Sequence, residues 1–328
     1  MSHRLRNVPV MRIEVFLDEA AAAIALRHEV VRGLTSSPKT LSPTWLYDDR
    51  GCALYDEITR LAEYYPFRAE RSILTNRAKD IVGAAQPDSL VELGSGNSEK
   101  TRLLLDAMPM PALYVPFDVA EATLRSASEA LMTEYPGLAV HGIVGDFAHD
   151  LVHIPQDGRR MIALLGSTIG NLAPPERFAM LTTLRAQMNE GDTFLLGTDL
   201  VKDRQRLVDA YDDAAGVTAA FDLNVLARLN RELGANFDLE QFRHVAVFDE
   251  ANQWIEMRLL ACTEQVVRVD ALDFEVAFAE GEVLRTEISA KFTVDGINEE
   301  LRNAGMRVVD QWTDDDGDFL LTLAGVNL

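Results

Sequence analysis

The chain has 328 residues, 48% of them hydrophobic and 25% charged, with a formal net charge of -21. That is apolar material for one large domain or two moderate ones, and so acidic a chain excludes nucleic acid and anionic membrane as expected partners, because both are bound largely through basic groups. Two cysteines far apart, Cys52 and Cys262, exclude a disulfide framework and a zinc knuckle, while the lack of an 18-residue apolar run, or of an apolar stretch behind the start "MSHRLRNVPVMRIEV", predicts a cytoplasmic protein.

Residues 14 to 34 place apolar side chains at helical spacing (Val15, Ala20, Ala23, Ile24, Leu26, Val30, Val31), and Gly33 suits the end of that helix. After "SSPKTLSPTW", the segment "LYDEITRLAEYYPFRAERSILTNRAKDIVGAA" predicts two helices broken at Tyr65-Pro66. From Ser89 short apolar runs alternate with amphipathic helices: "LVELG", "ALYVPFDV", "LAVHGIVGDF", "RMIALLGSTIG" and "TFLLGTDLV". That texture predicts parallel strands joined by right-handed crossovers. It breaks off after Val201 for about ninety residues of helices and period-2 segments, "QWIEMRLLA", "FEVAFAEG" and "RTEISAKF", which look like an inserted module. A helix "GINEELRNAG" and two strands around the turn "TDDDGD" close the chain, and strands joined so tightly must be antiparallel. An α/β sheet finished in this way resembles the class I methyltransferases, whose Rossmann-like fold binds S-adenosylmethionine.

The turn "LGSGNSEK" offers Gly94 and Gly96 for close backbone approach at a helix start. Glu99 stands where a phosphate loop or a dinucleotide fingerprint requires glycine, and a carboxylate there repels a pyrophosphate. It suits a cationic sulfonium donor, as Glu92 does. Asp118 ends the second strand, near the position of an acid that takes ribose hydroxyls; Asp146 and Phe147 end the third, fit for an adenine amino group and ring. The candidate donor site is therefore Gly94, Ser95, Lys100, Asp118, Asp146 and Phe147 on the carboxyl edge of the sheet.

The segments "SPTWLYDDRGCALYDEITRLAEYYPFRAE", "LVELGSGNSEKTRLLLDAM", "LLGSTIGNLAPPER", "GTDLVKDRQRLVDAYDDAAGVTAAFDLNVLARLNREL" and "EISAKF" resemble the histidine-specific, S-adenosylmethionine-dependent methyltransferases, from about residue 14 to the C-terminus. The resemblance implies methylation of the α-amino nitrogen of L-histidine to hercynine, the first step toward ergothioneine; a related reading is N-methylation of another small amino acid or amine. It implies that Asn171 and Tyr211 bind the acceptor carboxylate, although the residues alone leave Asn171 open as a helix cap and Tyr211 as packing. It implies that Glu287 and Ser289 read the imidazole, where alternation alone would give a solvated strand face. Tyr47 and Tyr64 match pocket tyrosines whose faces suit a quaternary ammonium, Met257 is pocket wall or core, and Gly166 and Thr168 line the amine side, with Thr168 a candidate proton relay. Tyr55 stands where relatives have phenylalanine, and Asn97 where they have threonine or serine.

The expected organisation is a donor domain of residues 69–200 plus 292–328 and a substrate cap of 14–68 plus 201–291, in a monomer with no metal. His149 and His153 have i, i+4 spacing without the glutamate of a zinc helix, and "TDDDGD" lacks the glutamate that closes a calcium loop. Two rivals stay open: an NAD-dependent dehydrogenase, against which Glu99 speaks, and an adenosyl-ligand sensor that never turns over.

Overall fold

A computed structural model describes residues 10–109, 113–147 and 149–327; residues 1–9 of the basic start lie outside them. Strand β1 (Met11–Val15) leads into helix α1 (Glu19–Thr35), which Asp18 caps by accepting from the Ala21 N–H. Strand β2 (Lys39–Thr40) and helices α2 (Asp49–Ile58) and α3 (Tyr65–Ala85) follow, the last two separated at the predicted proline. The alternating region is β3 (Ser89–Leu93), α4 (Thr101–Ala107), β4 (Leu113–Asp118), α5 (Glu121–Glu134), β5 (Ala139–Val144), β6 (Arg160–Leu164), α6 (Pro174–Gln187) and β7 (Thr193–Asp199). The insertion holds α7 (Arg204–Asp209), α8 (Val217–Leu233), β8 (Phe242–Asp249), β9 (Trp254–Ala261), β10 (Gln265–Val269), β11 (Phe274–Phe278) and β12 (Val283–Ala290), and the chain ends in α9 (Val294–Asn303), β13 (Met306–Thr313) and β14 (Phe319–Val326).

The central sheet has the order β1-β5-β4-β3-β6-β7-β14-β13. The first six strands are mutually parallel, and β14 alone runs against its neighbours β7 and β13. The order places β3 between β4 and β6, where the winding direction reverses and such sheets open a ligand crevice. This is the class I methyltransferase arrangement expected from the sequence, with β1 added at one edge. Successive residues of β3 feed opposite faces: Leu90 joins a core with Ile73, Leu74 and Tyr114, and Val91 joins one with Leu181, Leu184 and Ile297.

Two sequence expectations need correction. Residues 14 and 15 do not begin the helix, which starts at Glu19: they close the alternating stretch "MRIEV", which pairs in parallel with β5, whose open edge offers a full ladder that local helical spacing cannot match. Gly33 does not end α1 either. It lies inside the helix because a Cβ there would meet the Thr40 carbonyl oxygen at 2.0 Å, so glycine serves close packing rather than a left-handed cap.

The insertion builds a second sheet, β2-β12-β9-β8, over a third core that includes Leu46, Phe221, Val225 and Leu229. Its chain leaves after β7 and returns beside the same strand end: Val201 N–H donates to the Phe292 carbonyl and Phe292 N–H to the Asp199 carbonyl, both at 2.9 Å. Exit and entry are thereby stitched together at the carboxyl edge of the central sheet.

Candidate active site

One cavity of about 1020 Å³ runs between the central sheet and the inserted sheet, and every candidate residue singled out above lines it. At the sheet edge, Gly94 and Gly96 follow β3 with φ of 70° and 48°, and a Cβ at either would meet nothing within 4 Å. Backbone conformation, not crowding, requires glycine there. The Asp118 carboxylate at the end of β4 accepts from Gly96 N–H at 2.8 Å and from Ala120 N–H at 2.9 Å. Each oxygen keeps lone pairs for a further donor. Ser95 Oγ is buried at the same turn with no hydrogen-bond partner among the described residues, as expected where a polar ligand completes the set.

The charges at this end fit a donor without phosphates. Lys100 gives its ammonium to Glu70, whose carboxylate also accepts from Gly166 N–H at 2.9 Å, so the lysine is already neutralised. Glu92 is buried, accepts from Thr101 and Tyr114, and is pushed up to about 7 by burial. Glu99 stands at the rim and pairs with Arg71 at 3.4 Å. Of the two acids expected near a cation, Glu92 is thus the one enclosed by the fold.

The other end of the cavity is built from side chains of distant segments. Tyr47, Tyr55, Tyr64 and Tyr211 meet edge to face in sequence, with centroids 5.6, 6.3 and 6.0 Å apart between Tyr47 and Tyr55, Tyr55 and Tyr64, and Tyr64 and Tyr211. Burial raises the Tyr47 and Tyr64 hydroxyls well above the ordinary phenol range, so both stay protonated donors. Glu287 on β12 lies opposite Met257 on β9, and a register shift just before it, between Arg285 and Glu287, sets its face. Its carboxyl is buried, makes no hydrogen bond among the described residues, and is pushed up to about 8, first by burial and then by the Asp222 carboxylate. Ser289, two positions on, shares its face as period-2 geometry predicts.

Asn171 ends a short 3-10 turn, Thr168–Asn171. It does not cap α6: Ala173 holds that position, and its N–H donates to Glu176 at 2.9 Å. Tyr211 is held by polar partners as well as by packing, since its hydroxyl shares a 2.8 Å hydrogen bond with Ser289 Oγ. Thr168 Oγ1 donates to the Leu165 carbonyl at 2.9 Å, which leaves its lone pairs as acceptors toward the cavity.

Three buried supports escaped the sequence reading. Lys291, the residue after β12, donates to Tyr211 and Ser289 and pairs with Asp199, at 2.9 Å each. His244 on β8 bonds through Nδ1 to Asp222 at 2.7 Å and through Nε2 to the Tyr211 carbonyl at 2.8 Å. Burial pulls this imidazole down, but the two acceptors outweigh it and its pKa ends above the ordinary value. Glu70 is the third. It sits on the apolar stripe of α3 with Ala69, Ile73 and Leu74, and a charge on such a stripe is the signal that could have found it.

A profile of the family described as "Histidine-specific methyltransferase, SAM-dependent" matches residues 26–326. The chain belongs to this family. It is 54% identical over 312 residues to the histidine N-alpha-methyltransferase of Mycolicibacterium smegmatis, covering 94% of this chain and 97% of that one. With the enzyme of the same name from Mycobacterium tuberculosis it shares 50% identity over 319 residues, covering 96% and 99%. An "Ergothioneine biosynthesis protein 1" from Schizosaccharomyces pombe is 33% identical over 225 residues, 64% of this chain and 29% of that one. This histidine-specific methyltransferase is therefore an S-adenosylmethionine-dependent enzyme by family.

The features set aside in the sequence have other roles in the methyltransferase. His153 stacks on Phe16 with centroids 3.6 Å apart, and His149 faces the cavity from a turn rather than a helix. Asp314, Asp316 and Asp318 bring carboxylate oxygens within 4.8 Å of one another. Asp314 accepts from the Asp318 and Phe319 N–H groups at 2.8 Å, and Asp318 pairs with Arg206, so two of the three close the hairpin and anchor α7. No helix among the described residues is long and apolar enough to cross a membrane.

Proposed function

We propose that this chain moves methyl groups from S-adenosylmethionine to the α-amino nitrogen of L-histidine, forming hercynine in ergothioneine biosynthesis. The observation that carries the reading is one cavity with two unlike ends: a glycine turn rimmed by Asp118 at the sheet edge, and, beside the tyrosines, a buried carboxyl, Glu287, that makes no hydrogen bond among the described residues. When bound, the donor supplies an electrophilic methyl group on a sulfonium. Asp118 accepts from the ribose hydroxyls, Asp146 from the adenine amino group, and Phe147 covers the ring. Gly94, Ser95 and Lys100 complete that end, where the Lys100 and Glu70 pair leaves no net positive charge to favour a phosphate.

At the acceptor end, the Asn171 amide and the Tyr211 hydroxyl hold the carboxylate of histidine, and Glu287 and Ser289 hold its ring. Methyl transfer is an in-line displacement, so the chain's task is to present a neutral amine lone pair in one orientation and to take its proton away. Gly166 and Thr168 border the amine; the Thr168 oxygen accepts a hydrogen bond from its N–H and orients the lone pair, and the proton the amine loses leaves along that bond to water. Tyr47 and Tyr64 offer aromatic faces that favour the amine as it gains positive charge with successive methyl groups. Met257 shapes the wall.

The two ends correspond to two parts of the chain: residues 69–200 with 292–328, joined by β1, for the donor, and the remainder of 14–68 with 201–291 for the acceptor. The three separate cores support this division. The deciding experiment incubates the protein with the donor and a panel of amino acids, then weighs the products. Histidine should gain three methyl groups while S-adenosylhomocysteine is released; a histidine that never gains mass ends the proposal.

A further inference from the structure

Glu70 is fully buried on α3 and does not line the cavity. Its carboxylate nevertheless ties together two turns that do. From the turn after β3, at the donor end, Lys100 gives it an ammonium; from the turn after β6, at the acceptor end, the Gly166 N–H lies 2.9 Å from both of its oxygens. Strands β3 and β6 are paired up to Leu93 and Leu164. Past that pair no hydrogen bond among the described residues joins the two turns directly, so the polar connection between them runs through Glu70.

The acceptor turn needs such a hold. Gly166 and Ser167 are both left-handed, with φ of 75° and 57°, and a residue with a Cβ keeps that conformation only where its surroundings fix it. Two bonds do so: Glu70 accepts from the Gly166 N–H, and Ser167 Oγ accepts from the Asp199 N–H at 3.0 Å. Thr168 and Asn171 follow at once, so the direction they face depends on this left-handed pair. The carboxylate is itself fixed. Phe67, one turn before Glu70 on α3, holds its ring under the Lys100 ammonium, 5.2 Å from the centroid. On β7, Gly197 makes room, since a Cβ there would meet Glu70 Oε1 at 2.2 Å; a glycine inside a buried strand marks such a close approach.

We propose that Glu70 is a positioning residue that sets the separation of donor and acceptor: one carboxylate, on a helix outside the cavity, holds the Lys100 turn and the Gly166 turn in a single register. The proposal rests on the reading that the first turn binds the sulfonium donor and the second borders the amine. In-line displacement is steep in geometry, and about 1 Å of misplacement costs on the order of 100-fold in rate. Loss of Glu70 therefore slows the transfer step and leaves each ligand bound, because each end keeps all of its own contact groups.

The test is Glu70→Gln, which keeps the length of the side chain but turns an NH2 toward the Gly166 N–H. In the ligand-free protein, amide hydrogen exchange of residues 165–171 should speed up about tenfold while that of β3 is unchanged. At saturating donor and histidine, kcat should fall about 30-fold, with the calorimetric Kd for S-adenosylhomocysteine and the KM for histidine within about threefold of wild type. Adding Lys100→Met to Glu70→Gln separates holding from charge balance. The double variant should stay as slow as the single one; recovery of kcat would mean that Glu70 only neutralises the lysine, and overturns the proposal. Gly197→Ala gives a second measurement should the glutamine variant fold poorly, because it keeps every functional group and pushes the carboxylate off Gly166: kcat should fall about tenfold with both affinities kept. Affinities that fall in step with kcat, or unchanged exchange at 165–171, also overturn it. Failure of the underlying reading looks different: wild type would then give no heat with S-adenosylhomocysteine and would not methylate histidine, while the exchange difference would persist.

Discussion

The donor end and the acceptor end of the cavity are made of different material. At the donor end the chain presents backbone: two glycines with positive φ and a carboxylate fastened by the Gly96 N–H of the preceding strand's turn and by the Ala120 N–H two residues on. At the acceptor end it presents side chains from five separated segments, among them a carboxyl and two hydroxyls whose pKa values burial has moved far up. A nucleoside-binding edge can therefore be assembled locally, with little energy stored in it. The acceptor pocket proposed here keeps a buried acid with no hydrogen-bond partner among the described residues, and a buried polar group of that kind is stabilised only when its ligand arrives.

Glu287→Ala tests this contrast most severely. Histidine kcat/KM should fall about 100- to 1000-fold, on the scale of about 3–4 kcal/mol for losing a charge-assisted hydrogen bond in a buried site, with donor affinity within twofold by calorimetry. Equal losses of both ligands would mean the residue supports the fold instead. Asp118→Ala should do the reverse: donor affinity about 30-fold weaker, roughly 2 kcal/mol, and little change in the histidine KM at saturating donor. A larger change for histidine than for the donor would erase the distinction between the ends.

The ligand-free protein provides a third measurement. Glu287 titrates near 8 when folded and near 4.5 when unfolded. A carboxyl raised on folding contributes its full stability below pH 4.5 and loses it as pH climbs through 8. Glu92, raised to about 7, acts in the same direction in every variant. Glu287→Gln removes only the first of these, so its unfolding free energy should exceed that of wild type by about 4–5 kcal/mol at pH 9 and match it near pH 4, although the variant is less active. Denaturation curves at the two pH values decide it, and an equal difference at both would show that the carboxyl is not destabilised by the fold. The smallest expected effect is that of Tyr64→Phe, which keeps the ring and loses the hydroxyl that, by the family resemblance, donates to the other nitrogen of the imidazole. The histidine KM should rise about fivefold, near 1 kcal/mol, with thermal stability changed by less than a degree or two. A drop in stability without a change in KM would make Tyr64 a packing residue.

Much of the donor end could be read from the chain because its parts follow one another: strand, glycine turn, helix, and an acid at the next two strand ends. Glu99 in the third glycine position was enough to turn the reading away from phosphate. The acceptor end was legible chiefly through family resemblance. Glu287 and Ser289 alternate like any solvated strand face, and only the packing of the 168–171 turn and the tyrosines beside β12 makes that face an interior. Lys291 and Asp199 were passed over because a lysine after a strand and an aspartate at the end of one are ordinary. Their pairing depends on the hydrogen bonds between 199–201 and Phe292, which join points about ninety residues apart. The β1 strand was misread for the same reason, its partner β5 lying beyond residue 138.

The sequence by itself determined the alternating α/β order, the positions of the turns and the chemistry of the donor edge, because these rest on periodicity and on contacts a few residues long. The tertiary structure decided which polar residues are buried, which carboxyl keeps its proton at neutral pH and which lysine stands behind the pocket. Burial and pairing are properties of surfaces brought together from remote parts of the chain, and the free energy of a charge depends on what those surfaces exclude.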